Sequence, residues 1–322
     1  MKRVAKPAGR FNIAIEETER PRLAPTEVLI RAECSLISRG SEIWRRYARE
    51  EAIDPRMMGY SLAGRIVEVG AQVREFAPGD RVAALAPHAE YAAMEVVAPA
   101  HRPSVVRLPA GVSAEAGTFW PLATSSVLWM EELRAQPGDP VVILGQGLVG
   151  SGCMQILRVL TGARVLAVDA LPPRCALARS LGADAVVDAS TEDPVAAVRQ
   201  LTGGEGAQAV VEAVGGRAGA AAFAQAQDML RRGGLLQVLG LYEDEPLPLD
   251  SAKIQGRRLV GGYLDPDQRP RASDRALQLL ADGQLQAAQM ITHRFPFAEA
   301  AAAFDLLYHH PGETLGVLLV WD

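Results

Sequence analysis

A chain of 322 residues exceeds what one hydrophobic core usually serves and predicts two domains. Nearly half of it is hydrophobic and only 5% aromatic, which fits an α/β protein packed with Ala, Val and Leu, and a net charge of −5 offers no electrostatic footprint for nucleic acid. No apolar run is long enough for a bilayer, the opening MKRVAKPAGR lacks the hydrophobic stretch of a signal peptide, and Cys34, Cys153 and Cys175 form neither a CxxC pair nor a disulfide framework, so a cytoplasmic location and small buried thiols are expected.

Residues 1–115 read as mostly β. Val28 to Ala32 is a strand, and Gly64 to Gly70 alternates as a half-buried strand should. Pro78-Gly79-Asp80 turns the chain into a strand from Arg81. Short strands separated by Gly and Pro predict a partly open barrel. Arg107 to Ser113 is a loop, and Ser113 with Glu115 behind it marks a helix start.

From residue 116 helix and strand alternate, which predicts a parallel, doubly wound sheet over 116–289. Its first unit is the most informative stretch of the chain. An apolar run, Val141 to Leu144, is followed by Gly145-Gln-Gly147-Leu-Val-Gly150, a stretch at helical spacing, a second apolar run and Asp169. Gly145 permits the tight turn, Gly147 lets backbone approach a pyrophosphate, and Gly150 lets helix pack on strand. The N–H groups of Leu148, Val149 and Gly150 open the helix and face the phosphates. Asp169 stands where a carboxylate accepts ribose hydroxyls and repels a 2′-phosphate, which favours NAD(H) over NADP(H). Arg174 lies close enough to soften that choice, or lies along the adenine.

Further on, Arg174–Leu181, Pro194–Leu201 and Ala218–Leu230 read as helices, the last stopping before Gly233-Gly234. Ala185–Asp188, Ala209–Val214, Leu235–Leu239 and Arg258–Gly262 read as strands, and Asp274–Asp282 as a helix. The strand at Arg258 lies at a sheet edge, an invitation to pair with a symmetry mate. The final segment, about 290–322, with a helix from Glu299 to Tyr308, returns to the first domain.

The phrases PTEVLIRA, RGSE, GYSLAGRIVEVG, FAPGDRVAA, AEYA, GQGLVG, ARSLGADAVVD, VVEAVG, RRGGLLQVLGLY and ITHRFPFAEAAAAFDLL occur in that order. Together they resemble the medium-chain dehydrogenase/reductase superfamily. The resemblance implies a GroES-like catalytic domain beside a Rossmann domain, an active site in the cleft between them, and hydride transfer to or from a nicotinamide by a homodimer or homotetramer. It also implies cofactor contacts from Thr124, Glu212 and Gly240, and no nucleic-acid or membrane partner.

Several departures from the family pattern bear on mechanism. Zinc-dependent members carry a cysteine in a CGSD-like phrase, a GHE phrase and a further ligand opening the second domain. Here the first reads Ser38-Arg39-Gly40-Ser41-Glu42, the second Gly59-Tyr60-Ser61, and the third Trp120 to Ser126, without cysteine. The four-cysteine structural lobe is absent too. Zinc wants Cys, His or carboxylate at tetrahedral spacing, so no zinc is expected. A side-chain donor must then polarise the reacting oxygen. Tyr60, in the place of the lost histidine, Ser41 and His88 are the candidates; as alternatives, Tyr60 is a pocket wall, Ser41 caps a turn, and His88 makes a simple pocket hydrogen bond. Arg39, Glu42 and Trp120 are candidate substrate contacts, although Glu42 is also expected to pair with the neighbouring arginines. Trp44-Arg45-Arg46-Tyr47 reads as a solvated helix face or an anionic-substrate contact. His293, His309 and His310 read as structural or surface groups. The expected reaction is on an alcohol/ketone pair, a sugar, polyol or secondary metabolite. The rivals are an enoyl or quinone reductase and a non-catalytic dinucleotide-binding protein.

Overall fold

In the computed structural model, residues 1–97, 103–241 and 246–321 are described; Tyr242, the last residue of the phrase RRGGLLQVLGLY, lies outside them. The strands in chain order are β1 (Lys2–Ala5), β2 (Ala14–Glu17), β3 (Glu27–Leu36), β4 (Leu62–Val69), β5 (Arg81–Ala84), β6 (Tyr91–Glu95), β7 (Val105–Arg107), β8 (Pro140–Leu144), β9 (Arg164–Asp169), β10 (Ala185–Asp188), β11 (Ala207–Glu212), β12 (Leu230–Val238), β13 (Arg258–Gly261), β14 (Ile291–Pro296) and β15 (Gly316–Val320). The α-helices are α1 (Ala114–Gly117), α2 (Trp120–Glu132), α3 (Leu148–Thr161), α4 (Pro172–Ser180), α5 (Pro194–Leu201), α6 (Gly219–Met229), α7 (Arg269–Ala281) and α8 (Ala300–His309). Two units emerge, residues 1–124 with 266–322, and residues 125–265. Residues 116–124 and 266–289 thus fall in the first unit, outside the Rossmann-like one.

In the first unit a seven-stranded sheet has the order β14-β15-β3-β4-β5-β7, with β6 paired to β3. Strand β3 is buried on both faces along most of its length, Arg31 being its one exposed residue, whereas β4 alternates as its sequence does. Strand β15 pairs antiparallel with β3, Leu318 opposite Leu36, which closes the sheet with the last part of the chain. Ile30, Ile43, Tyr47, Met58, Phe304, Leu307 and Trp321 fill the core. Ser113 caps α1, its Oγ accepting Ala116 N–H at 3.1 Å.

The run Arg39–Tyr47 departs from the turn and solvated face its sequence suggested. It winds as a wide π-helical coil in which Ala48 N–H reaches Ile43 O at 3.1 Å. The extra residue per turn rotates Glu42, Ile43 and Tyr47 inward and leaves Arg45 exposed. Tyr47 packs on Phe304, ring centroids 5.6 Å apart, so it is core and not a solvated face.

In the second unit the sheet is wholly parallel, in the order β10-β9-β8-β11-β12-β13. Strand order reverses between β8 and β11, the place where such sheets open at their carboxyl ends. Gly145, at φ +95°, makes the turn from β8 into α3. A Cβ on Gly150 would lie 1.7 Å from Gly145 O, so only glycine lets the helix sit this close. Helix α6 stops at Met229 and the chain enters β12 directly at Leu230, earlier than the Gly233-Gly234 pair suggested. Gly233 takes φ +76° inside the strand, and the β11–β12 register slips between Ala207 and Ala209, which accommodates the early start. Strand β13 is one edge, with Leu259 exposed on it and Tyr263 exposed just beyond its end.

Gly150→Ala is expected to lower stability by about 1–3 kcal/mol through overpacking between the two backbones, read from the midpoint of urea unfolding.

Candidate active site

The second unit carries the glycine turn. Gly147 precedes α3 in an extended conformation and offers no side-chain cap, so the N–H groups of Leu148, Val149 and Gly150 are left for a ligand. A Cβ on Gly147 would meet nothing within 4 Å, and this open space is what a pyrophosphate needs. Asp169 ends β9 and is almost fully buried. Its Oδ2 accepts Gln146 N–H at 2.6 Å and its Oδ1 accepts Leu171 N–H at 2.8 Å. The acid therefore shapes the turn. Arg174 Nη1 lies 3.9 Å from Asp169 Oδ2, and burial pulls the arginine's pKa down against the pull of that carboxylate. Glu212 ends β11 fully buried, its Oε1 accepting Val214 N–H at 2.8 Å and its carbonyl accepting Leu239 and Gly240 N–H. A Cβ on Gly240 would lie 2.6 Å from Glu212 Oε2, so the two residues interlock. Gln146 was not foreseen. Its Nε2 donates to Ile143 O at 2.9 Å, while its buried Oε1 has no partner among the described residues.

The first unit gathers a second set of polar groups. His88 and Glu42 are both fully buried, and His88 Nε2 lies 2.9 Å from Glu42 Oε1. The other carboxylate oxygen accepts Ser38 N–H at 2.8 Å. His88 Nδ1 lies 2.8 Å from Ser35 Oγ, which also accepts Trp321 Nε1–H at 2.9 Å. A carboxylate can only accept, so His88 Nε2 donates to Glu42, and in the neutral ring Nδ1 then accepts from the Ser35 hydroxyl. Glu42 thus pairs with His88 and not with the neighbouring arginines, because the π-helical coil turns it inward.

Beside this pair lies a hydroxyl cluster. Ser41 Oγ donates to Ser38 Oγ at 2.7 Å. The Tyr60 hydroxyl is enclosed and forms no hydrogen bond of good geometry with the described residues. Burial first, and then the charge of Glu42, push its phenol well above the ordinary tyrosine value, against a smaller opposing influence of Ser38. Tyr60, Ser38, Ser41, Glu42 and His88 are therefore brought together. Arg39 is half-buried, its guanidinium 6.0 Å from the Trp44 ring centroid. Ser61, in the place of the family's glutamate, donates its hydroxyl to the Thr118 carbonyl.

Two candidates lie elsewhere. Trp120 is 2% exposed and donates Nε1–H to Ser273 Oγ at 2.8 Å, which makes it a packing residue in place of the expected substrate contact. Thr124 is equally buried and returns its hydroxyl to Trp120 O at 2.9 Å. Among the described residues no three of His, Cys, Asp and Glu stand close enough to hold a metal ion. Cys34 is buried, and that burial drives its thiol pKa far upward. Ser35 and Trp321 are site residues that no motif announced.

Comparison with known proteins identifies both units by family. Residues 24–119 match the model of an alcohol dehydrogenase GroES-like domain, and residues 149–282 that of a zinc-binding dehydrogenase. D-arabitol-phosphate dehydrogenase of Enterococcus avium is 28% identical over 95% of this chain and 94% of its own length. L-threonine 3-dehydrogenase of Bacillus subtilis strain 168 is 26% identical over 95% of each chain. Among solved structures, the alcohol dehydrogenase TADH from Thermus sp. ATN1 superposes with a TM-score of 0.83 at 27% identity, covering 100% of both chains. No helix among the described residues is long and apolar enough to cross a membrane.

Removing the Glu42 carboxylate would leave His88 Nε2–H and Ser38 N–H buried without an acceptor. Glu42→Ala is expected to cost about 3–5 kcal/mol of stability, and Glu42→Gln, which restores one of the two acceptors, less. Urea unfolding of the three proteins side by side measures the difference.

Proposed function

The chain belongs to the medium-chain dehydrogenase/reductase superfamily and is an NAD(P)-dependent oxidoreductase, and from this we propose that it passes a hydride between NAD(H) and an alcohol/ketone pair without a catalytic zinc. The observation that carries the reading is the enclosed Tyr60 phenol beside Ser38 and Ser41, in the sequence position of the family's histidine ligand.

The residues at the metal-ligand positions do not suit zinc. Arg39 is cationic, Ser61 is spent on a carbonyl, and the raised pKa of Tyr60 disfavours the phenolate a metal would need. His88 has both ring nitrogens engaged, one of them by Glu42.

The bound nicotinamide supplies or takes the hydride. The protein's share is to hold the dinucleotide and to manage charge on the substrate oxygen. The uncapped start of α3 binds the pyrophosphate, and Asp169 takes the ribose hydroxyls with the lone pairs its backbone bonds leave. Tyr60, kept protonated by burial, donates a hydrogen bond to the carbonyl oxygen, and that bond strengthens as negative charge grows there. When the oxygen takes the proton, Ser38 and Ser41 offer the hydroxyls through which Tyr60 regains one. Glu42 and His88 act behind them by fixing the Ser38 backbone. Two relatives are named as dehydrogenases of a polyol phosphate and of threonine, both hydroxy compounds, which supports a polyol or related hydroxy compound as substrate.

Tyr60→Phe keeps the ring and removes only the donor. Dinucleotide affinity should survive while turnover falls by about 10²–10³-fold, in protein whose metal analysis shows no stoichiometric zinc. Turnover within a fewfold of the parent would shift the reading to C=C reduction, where no oxygen need be protonated. Because the phenol stays protonated below its raised pKa, Tyr60 should cause no loss of carbonyl reduction between about pH 7 and about pH 10.

NAD(H) should bind more tightly than NADP(H), and Asp169→Ser should narrow the ratio by roughly tenfold as the like-charge repulsion disappears. Asp169 also holds two backbone N–H groups, so the ratio of the two affinities from fluorescence titration is the readout, not either affinity alone.

A further inference from the structure

The second unit has another concentration of charge, at the opposite side of its sheet from the glycine turn. In a parallel sheet all strands start on one side and end on the other. Gly145 and Asp169 follow or close strand ends, whereas Leu230, Arg231 and Arg257 stand at strand starts. There, Arg199, Glu205, Leu230, Arg231, Arg232 and Arg257 line an open depression of about 400 Å³.

Four guanidinium groups face one carboxylate, and none of these five forms an ion pair with a described residue. Two of the arginines are held in place by neutral oxygens. Arg257 donates from Nε and Nη2 to the Leu230 carbonyl at 3.0 and 2.7 Å, and from Nη1 to the Lys253 carbonyl. Arg199 Nη2 donates to Asp228 O at 2.9 Å. Carbonyls satisfy donors without cancelling charge. A neighbouring acid, Asp228, is already taken by Lys253 at 2.7 Å. The side chains of Arg231 and Arg232 make no hydrogen bond among the described residues. Like charges gathered in this way repel one another until an anion joins them.

We propose that this depression is a binding site for a small phosphate-bearing molecule, separate from the dinucleotide turn. Arginine forks match phosphate oxygens two at a time, and a mainly polar hollow of this size suits an oxyanion better than an apolar ligand. Concavity and the chain's net negative charge favour a small molecule over nucleic acid. Arg199 and Arg257, braced by carbonyls, form the fixed floor. Arg231 and Arg232, on the strand that opens beside Gly233, supply the free forks.

The test is calorimetric titration of the whole protein, first saturated with dinucleotide so that the glycine turn is filled. Tripolyphosphate and ribose 5-phosphate are the probes, at fixed ionic strength. Saturable binding of either supports the site, and the tighter of the two says whether a bare polyphosphate or a sugar phosphate fills it. The double variant Arg231→Gln/Arg232→Gln should weaken that binding by roughly tenfold or more while leaving dinucleotide affinity unchanged. The control pair Arg10→Gln/Arg22→Gln, on exposed residues of the other unit, should change neither. Absence of binding by both probes overturns the proposal. So does an equal loss in both double variants, which would report net charge alone, and so does tighter binding of a hexaglutamate peptide than of either phosphate, which would make the face a protein contact.

Discussion

A buried carboxylate needs hydrogen-bond donors nearby, and in the first unit one of them comes from an imidazole. Glu42 and His88 have no exposed surface, and each is the other's partner. Isolated, either would be costly to enclose; together, with Ser38 N–H and Ser35 Oγ completing their bonds, they form a satisfied network. Four stretches of chain meet on it: the end of β3, the π-helical coil, the loop before β6, and the segment after β15. The hydroxyls of Ser38, Ser41 and Tyr60 take their positions from that junction, so the proposed chemistry rests on a hydrogen-bond geometry that touches no substrate.

The second unit is organised by a different constraint, the contact of two backbones at Gly145 and Gly150. Everything there is close in sequence: the turn, the helix start and the acid at the end of the next strand lie within one βαβ unit. That locality is why the glycine turn was legible from the sequence. Glycine spacing, β-branched runs and the placement of Asp169 each report on a neighbour a few residues away. What could not be read was that Asp169 would also bind Gln146 and Leu171 N–H, since backbone donors leave no trace in residue identity.

The first unit was legible as a fold and far less so as a site. Strand alternation in β4 and the cap at Ser113 followed local rules. Glu42, by contrast, has arginines as neighbours in sequence, and a reading by proximity assigned it to them. Its true partner is 46 residues away and is reached only because one extra residue in the coil turns the side chain inward. Trp120 misled in the opposite direction: its position in a known motif suggested a substrate contact, yet Ser273, 153 residues on, takes its N–H. Contacts of this span depend on tertiary packing, for which one sequence has no periodicity to offer.

The bond from Trp321 to Ser35 crosses 286 residues, and the whole of the second unit is encoded between them. During synthesis the chain emerges in order, so the segment 125–265 is complete before the strand that closes the first sheet exists. The continuous unit can therefore fold while the discontinuous one is still an open sheet missing β14 and β15. Until then Ser35 and His88 lack the indole, and the bare edge of β3 is open to wrong partners. The order of the gene thus builds the nucleotide-binding half first and leaves the hydroxyl cluster as the last part of the molecule to be assembled.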